Sequence, residues 1–112
     1  MKLTFRTKKL EKLSNDYNKC QKEFGPLRAK LFIKRLNDLL EAVILDDVRN
    51  LPGHYHELKG NRKGQWACDL DQPYRLVFTS HENPIPTNKV GGYIWIEIKG
   101  VEIIEIIDYH NE

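Results

Sequence analysis

Residues 54–78 read HYHELKGNRKGQWACDLDQPYRLVF. Apolar and polar side chains tend to alternate along this segment, which is typical of strands that bury one face. A turn is predicted at 60–64, where two glycines flank polar residues. The residues expected on the buried faces of the flanking strands are Trp66, Cys68 and Leu70, then Tyr74, Leu76 and Phe78. The segment therefore predicts a meander of short antiparallel strands.

The same segment concentrates the side chains that carry chemistry. His54 and His56 lie close in sequence to several lysines and arginines. Cations along the turns and open face of a sheet can bind an anion, and imidazoles can transfer protons near neutral pH. A solvated sheet edge with scattered charges is the alternative interpretation.

The whole chain has the composition of a globular protein. It has 112 residues, of which 40% are hydrophobic and 30% charged, which predicts a single domain over residues 1–112. Since the sequence has neither a long apolar run nor a signal peptide, a cytoplasmic protein without membrane contact is expected. Cys20 and Cys68 lack the spacing of metal ligands, so we expect two reduced, part-buried thiols.

The net charge of +2 conceals an asymmetry. Residues 1–35 carry 11 Lys or Arg against three acidic residues, a balance of +8, whereas the rest carries 7 against 13, a balance of −6. A basic first third favours a polyanionic partner, above all nucleic acid. Helices that solvate themselves with lysines would give the same pattern.

The first half of the chain predicts a strand followed by a helical hairpin. Residues 2–6 alternate as a short strand does. Residues at spacings of three and four then form an apolar stripe that predicts a helix over about 8–23; they are Leu10, Leu13, Tyr17, Cys20 and Phe24. Gly25 and Pro26 end this helix and begin a second one that reaches about Leu45, so the hairpin covers 8–45.

The second half predicts a sheet over residues 54–110. A connector at 46–53 precedes the meander, and a long polar loop with two prolines and two adjacent glycines follows it. From Tyr93 the chain is rich in β-branched and aromatic residues, and a break at Lys99–Gly100 predicts either two strands or a bulge. The expected fold is α+β, with a twisted antiparallel sheet and the helical hairpin packed on one side.

Several motifs in this order resemble the HigB branch of the RelE/ParE superfamily of bacterial type II toxins. They are LPG at 51–53, HELKG at 56–60, GQW at 64–66, YRLVF at 74–78 and IIDYH at 106–110. The resemblance implies a β-α-α-β-β-β(-β) RelE-like fold. It also implies a ribosome-dependent endoribonuclease that cleaves mRNA in the decoding site, without a metal or cofactor.

The partners implied are the ribosome, mRNA and a cognate helix-turn-helix antitoxin of the HigA type, through which alone the protein would meet DNA. A ParE-like inhibitor of DNA gyrase, which binds without catalysis, is the alternative function. Clustered His, Lys and Tyr side chains favour the nuclease, because a binder would not need them.

The resemblance also implies the site residues. Cleavage of RNA through its own 2′-hydroxyl requires a base, an acid and cations on the phosphate. His56 and His110 would be the acid–base pair, in either order, and Asp108 would orient a histidine. Lys59 and Arg75 would hold the phosphate, and Tyr109 would stack on a base or donate to the phosphate. Further RNA contacts are predicted at the rim and on the first helix, from Arg62, Lys63, Lys8, Lys9 and Lys12.

Structural alternatives exist for some of these residues. Arg75 could form an ion pair with Asp69 or Asp71, and His54 is expected to be a turn residue. Both tryptophans are expected in the core or on a sheet face rather than as platforms for RNA bases.

Overall fold

The computed structural model describes residues 1–109 and has the α+β architecture that the sequence predicts. Five strands form one sheet in the order β1-β5-β4-β3-β2. No helix within residues 1–109 is long and apolar enough to cross a membrane. The strands are β1 (Lys2–Phe5), β2 (His56–Glu57), β3 (Gln65–Asp69), β4 (Tyr74–Ser80) and β5 (Gly100–Asp108), and the helices are α1 (Lys8–Asn15), α2 (Tyr17–Phe24) and α3 (Pro26–Glu41).

The meander forms as predicted. β3 pairs antiparallel with both β2 and β4, and β4 pairs antiparallel with β5. The alternating residues predicted for the buried face do face the helices, with Trp66, Cys68 and Phe78 fully buried. The helices contribute Leu10 and Phe32 to the same core, so the hairpin packs on one side of the sheet.

The sheet is not wholly antiparallel, because β1 runs parallel to β5. β5 lies between β1 and β4; it is antiparallel to β4 and parallel to β1. The approach is close at Gly100, where an added Cβ would lie 3.2 Å from the Cβ of His81 and 3.4 Å from that of Lys2.

The first predicted helix is two helices, because the chain breaks at Asp16. This residue ends α1 and begins α2, and its carboxylate accepts a hydrogen bond from the Lys19 amide at 3.1 Å. Short polar side chains compete with helical hydrogen bonds in this way, so they favour helix ends. The break leaves Tyr17 44% exposed, and its predicted place in the apolar stripe is therefore wrong.

The second helix begins at the predicted Gly25–Pro26 junction, with Gly25 at φ +84° and Pro26 in the first turn. It ends at Glu41 rather than near Leu45, and a 3₁₀ turn over Leu45–Asn50 leads on to the sheet. Val43, which lies inside the predicted helix, is beyond its observed end and is exposed.

The predicted strand from Tyr93 is absent, because Trp95–Glu97 form a 3₁₀ turn and β5 begins only at Gly100. Packing explains the difference. The Trp95 ring meets Trp66 edge-on at 5.4 Å, and the amide of Leu45 donates to the carbonyl of Ile98 at 2.9 Å. These contacts pack the segment against the core and the 3₁₀ turn at Leu45–Asn50 instead of beside β4.

Candidate functional site

The sheet face opposite the helices, called here the open face, carries a small second apolar cluster centred on Ala67, Val77 and Ile104. His56 pairs directly with Ala67, and Asp69 pairs with Arg75. Because directly paired residues of neighbouring strands point to the same face, His56, Asp69 and Arg75 all belong to the open face.

A chain of contacts crosses the sheet on this face, and we call it the cross-sheet row. It consists of His56, His54, Asp69, Arg75 and Tyr109. The two imidazoles stack with centroids 4.1 Å apart and planes 16° apart. Nδ1 of His54 lies 3.8 Å from Asp69 Oδ2, and Nε of Arg75 lies 3.4 Å from Asp69 Oδ1. The row ends where Cζ of Arg75 lies 3.8 Å from the centre of the Tyr109 ring.

The ion pair between Arg75 and Asp69 is loose. Asp69 Oδ1 is buried, yet it accepts no hydrogen bond, and a buried acceptor left in this way costs stability. The Arg75 side chain is only 16% exposed because the Tyr109 ring covers it. A phosphate that reached this guanidinium would have to displace the ring, and Tyr109 is 50% exposed.

Buried Arg35 of α3 holds the frame of the row from the helical side. Its Nε donates to the carbonyl of Asp69 at 2.7 Å, and an added Cβ on Gly53 would lie 2.8 Å from its Cζ. The Asp69 amide in turn donates to the carbonyl of Gly53 at 2.7 Å. The end of β3 and the turn before His54 are thus tied to the same helix.

Tyr55 and Cys68 are buried in the core on the helical side of the sheet, opposite the row. The Tyr55 hydroxyl donates to Asp38 Oδ2 at 3.2 Å. Burial raises the pKa of Tyr55 and of Cys68 well above their ordinary values. Both groups therefore stay neutral at physiological pH, and Cys68 is not a reactive thiolate.

Asp108, the last residue of β5, and Tyr109, which follows it, lie on different sides of the sheet. Register pairs Asp108 with Tyr74, whose ring lies against the helical core. Since successive residues of a strand alternate faces, Asp108 belongs to the helical side, whereas Tyr109 stands on the open face. The Tyr109 amide donates to the carbonyl of Pro73 at 2.9 Å. His110, the other predicted proton-transfer residue, lies outside the described residues.

The predicted cations do not all converge on the row. Lys59 is exposed at the start of a 3₁₀ turn and lines a groove of about 240 Å³ with Lys63 and Tyr93. Arg62 reaches over the open face, where its guanidinium donates to Gln65 Oε1 at 2.8 Å.

The basic residues of α1 lie on the helical layer and not on the open face. Lys8, Lys9 and Lys12 are exposed, and Lys9 forms an ion pair of 2.6 Å with Glu23. The predicted RNA-contacting residues are therefore spread over two sides of the molecule.

Two members of the row were not among the predicted site residues. Asp69 was expected only as a possible ion-pair partner of Arg75, which the structure confirms. His54 was expected to be a turn residue, and it does lie in a turn; the available signal was the pair of neighbouring histidines, since either imidazole can transfer protons near neutral pH. Within residues 1–109, no three His, Cys, Asp or Glu side chains are grouped to hold a metal ion.

No protein-family model and no curated protein matches the sequence. Among solved structures, the chain is similar to a YoeB/ParE toxin from Agrobacterium tumefaciens. The two chains are 17% identical, the match covers 95% of each, and the TM-score is 0.47.

Proposed function

We propose that this protein is the toxin of a type II toxin–antitoxin system and an endoribonuclease that cleaves mRNA in the decoding site of the ribosome. The proposal is supported by the ordered motifs that resemble HigB. The observation that carries it is the cross-sheet row, in which two imidazoles and an arginine share one open face. These are the residue types that metal-independent RNA cleavage requires.

In the proposed reaction, a base removes the proton of the 2′-hydroxyl and O2′ attacks the adjacent phosphorus. The P–O5′ bond then breaks, and an acid protonates the leaving O5′. His56 and His110 would be the acid and base. Arg75 would bind the phosphate in place of Asp69, since a bidentate arginine–phosphate pair is stronger than the loose ion pair. Tyr109 would then stack on a base, and Lys59 would add charge at the rim.

The flat site explains why the ribosome would be needed. The row lies on the open sheet face, where the His54 side chain is 60% exposed and Tyr109 is 50% exposed. Positioning by the decoding site would supply the alignment, which is worth several orders of magnitude in rate. The exposed lysines of α1 would contact ribosomal RNA on another side of the protein.

The partner for this toxin would be an antitoxin of the HigA helix-turn-helix type, and the protein would act in the cytoplasm. Acidic or amphipathic segments of the antitoxin would complement the basic first third of the chain. DNA contact would occur only through the antitoxin.

The test is cleavage of a defined mRNA by purified protein with and without ribosomes. We expect cutting only with ribosomes, and a loss of about 10²-fold or more for His56→Ala, since general acid–base catalysis contributes that much. His81→Ala is the control, because His81 is an exposed histidine that lies outside the row. Equal cutting by wild type and His56→Ala would refute the catalytic assignment.

A ParE-like inhibitor of DNA gyrase is the second candidate. The environment of Arg75 favours it, because Asp69 and Tyr109 already stabilise the guanidinium without a bound phosphate. A DNA supercoiling assay with purified gyrase separates the two functions. Inhibition of supercoiling together with intact mRNA on ribosomes would replace the nuclease proposal.

A further inference from the structure

His54 has an unusual backbone for its residue type. Among residues 1–109 it is the only non-glycine with a positive φ, at +54°. This left-handed conformation is uncommon for side chains with a Cβ, and it persists where the surrounding structure enforces it. Gly53 and its contact with Arg35 immediately precede it, so the conformation lies next to a turn that α3 holds.

The left-handed turn directs the carbonyl of His54 at the neighbouring imidazole. Its oxygen lies 2.7 Å from Nδ1 of His56. A carbonyl only accepts hydrogen bonds, so Nδ1 of His56 must carry the hydrogen and donate. In the neutral ring the lone pair is then on Nε2, because the hydrogen bond made by one ring nitrogen sets the state of the other.

The side chain of His54 restrains the same ring. Its imidazole stacks on His56 with centroids 4.1 Å apart, and its own Nδ1 lies 3.8 Å from Asp69 Oδ2. The stack limits rotation of His56 about its side-chain bonds, and the Asp69 carboxylate lies beside the outer ring. One residue thus fixes both the tautomer and the orientation of His56.

We propose that His54 is a positioning residue that presents Nε2 of His56 as the proton acceptor for the 2′-hydroxyl. This inference rests on the proposed function and assigns the order of the two proton transfers. His56 Nε2 takes the hydrogen of the 2′-hydroxyl, the O2′–P bond forms and the P–O5′ bond breaks. A separate acid, for which His110 is the sequence candidate, delivers a proton to O5′.

Two substitutions separate the carbonyl from the ring. His54→Asn removes the ring, but asparagine tolerates the left-handed conformation and keeps the carbonyl in place. His54→Val also removes the ring, and its branched Cβ disfavours the left-handed conformation. Because the side chain is 60% exposed, neither change disturbs the core, and thermal unfolding of both variants checks this.

The spectroscopic readout is the tautomer of neutral His56, measured by long-range ¹H–¹⁵N correlation of the ring nitrogens in the full chain. We expect the Nδ1–H form in wild type and in His54→Asn, and a shift toward the Nε2–H form in His54→Val. In ribosome-dependent cleavage, we expect kcat to fall several-fold for His54→Asn and by about 10²-fold for His54→Val, with KM little changed.

Two results would overturn the inference: wild-type His56 in the Nε2–H form, or wild-type kcat in both variants. Either can occur while wild type still cleaves mRNA, in which case the proposed function stands without this role for His54. If wild type fails to cleave mRNA on ribosomes, the proposed function fails, and the tautomer measurement still decides the structural part of the inference.

Discussion

Replacing Arg35 by methionine should loosen the frame beneath the cross-sheet row. Methionine keeps an unbranched apolar stem in the buried site but removes the guanidinium. The bond lost is the 2.7 Å contact from Nε to the carbonyl of Asp69. The second contact, from Nη1 to the carbonyl of Pro52 at 3.5 Å, is at the limit of a hydrogen bond and contributes little.

The expected cost follows from the one strong bond. A hydrogen bond from a charged donor contributes about 1.5 to 3 kcal/mol, and a buried carbonyl left without its donor adds to this. We therefore expect Arg35→Met to lower the free energy of unfolding by about 3 kcal/mol. In a domain of this size, the melting temperature should fall by roughly 10 °C.

Urea denaturation followed by circular dichroism measures this change, with Arg6→Met as the control. Arg6 also forms one contact of 2.9 Å, to Glu102, but its side chain is 50% exposed. An exposed ion pair is worth about 0.5 kcal/mol. A cost below about 1 kcal/mol for Arg35→Met, or one equal to that of the control, would refute the role given to Arg35.

Three further experiments test other contacts by urea denaturation. Gly53→Ala should lower the free energy of unfolding by more than about 2 kcal/mol, because φ is +117° and the added Cβ meets Arg35. Gly60→Ala is its control and should cost about 1 kcal/mol, because φ is +65° but the space around the added Cβ is open. In wild type, the free energy of unfolding should fall above about pH 10, because the unfolded Tyr55 hydroxyl ionises while the raised pKa keeps the folded one neutral. Tyr55→Phe should make this fall less steep, and an unchanged slope would contradict this. A double-mutant cycle on the half-buried pair of Arg28 and Asp71, joined at 2.9 and 3.2 Å, should give a coupling of about 1 kcal/mol; no measurable coupling would show that the pair is only a surface contact.

The parts of the fold that depend on local patterns could be predicted from the sequence. The alternation around Trp66 and Phe78 is set by burial of one sheet face, and the junction at Gly25 by backbone conformation. Both signals lie within a few residues of the structure they specify. This is why the meander and the start of α3 were predicted correctly.

The parts that depend on distant contacts could not be predicted. The 3₁₀ turn at Trp95 exists because the ring packs on Trp66, and no local feature of that β-rich segment shows this. The break at Asp16 did have a local signal, a capping side chain, but the continuous apolar stripe concealed it.

The residues of the candidate site also divide into those that local motifs predict and those that depend on distant contacts. Motifs identified His56, Arg75 and Tyr109, and the structure places all three on one face, although their proposed roles in RNA cleavage remain predictions. The link between them is Asp69, which lies on a different strand from each; the sequence left Asp69 and Asp71 as alternative partners of Arg75, and only the strand register decides between them. Lys59 was identified by the same motif as His56, yet it lines the groove with Lys63 and Tyr93 and is not part of the row.

The position of β5 has a consequence for how the chain folds. Lys2 pairs with Gly100, so the partner strand of β1 lies almost a hundred residues away in the sequence. The same strand, β5, also pairs with β4. Contacts of such high sequence separation slow folding, because the entropy of closing the loop is lost before the strands pair. We therefore expect the helices to form early and the sheet to assemble late, in one cooperative step, with no stable fragment that lacks either end of this pairing.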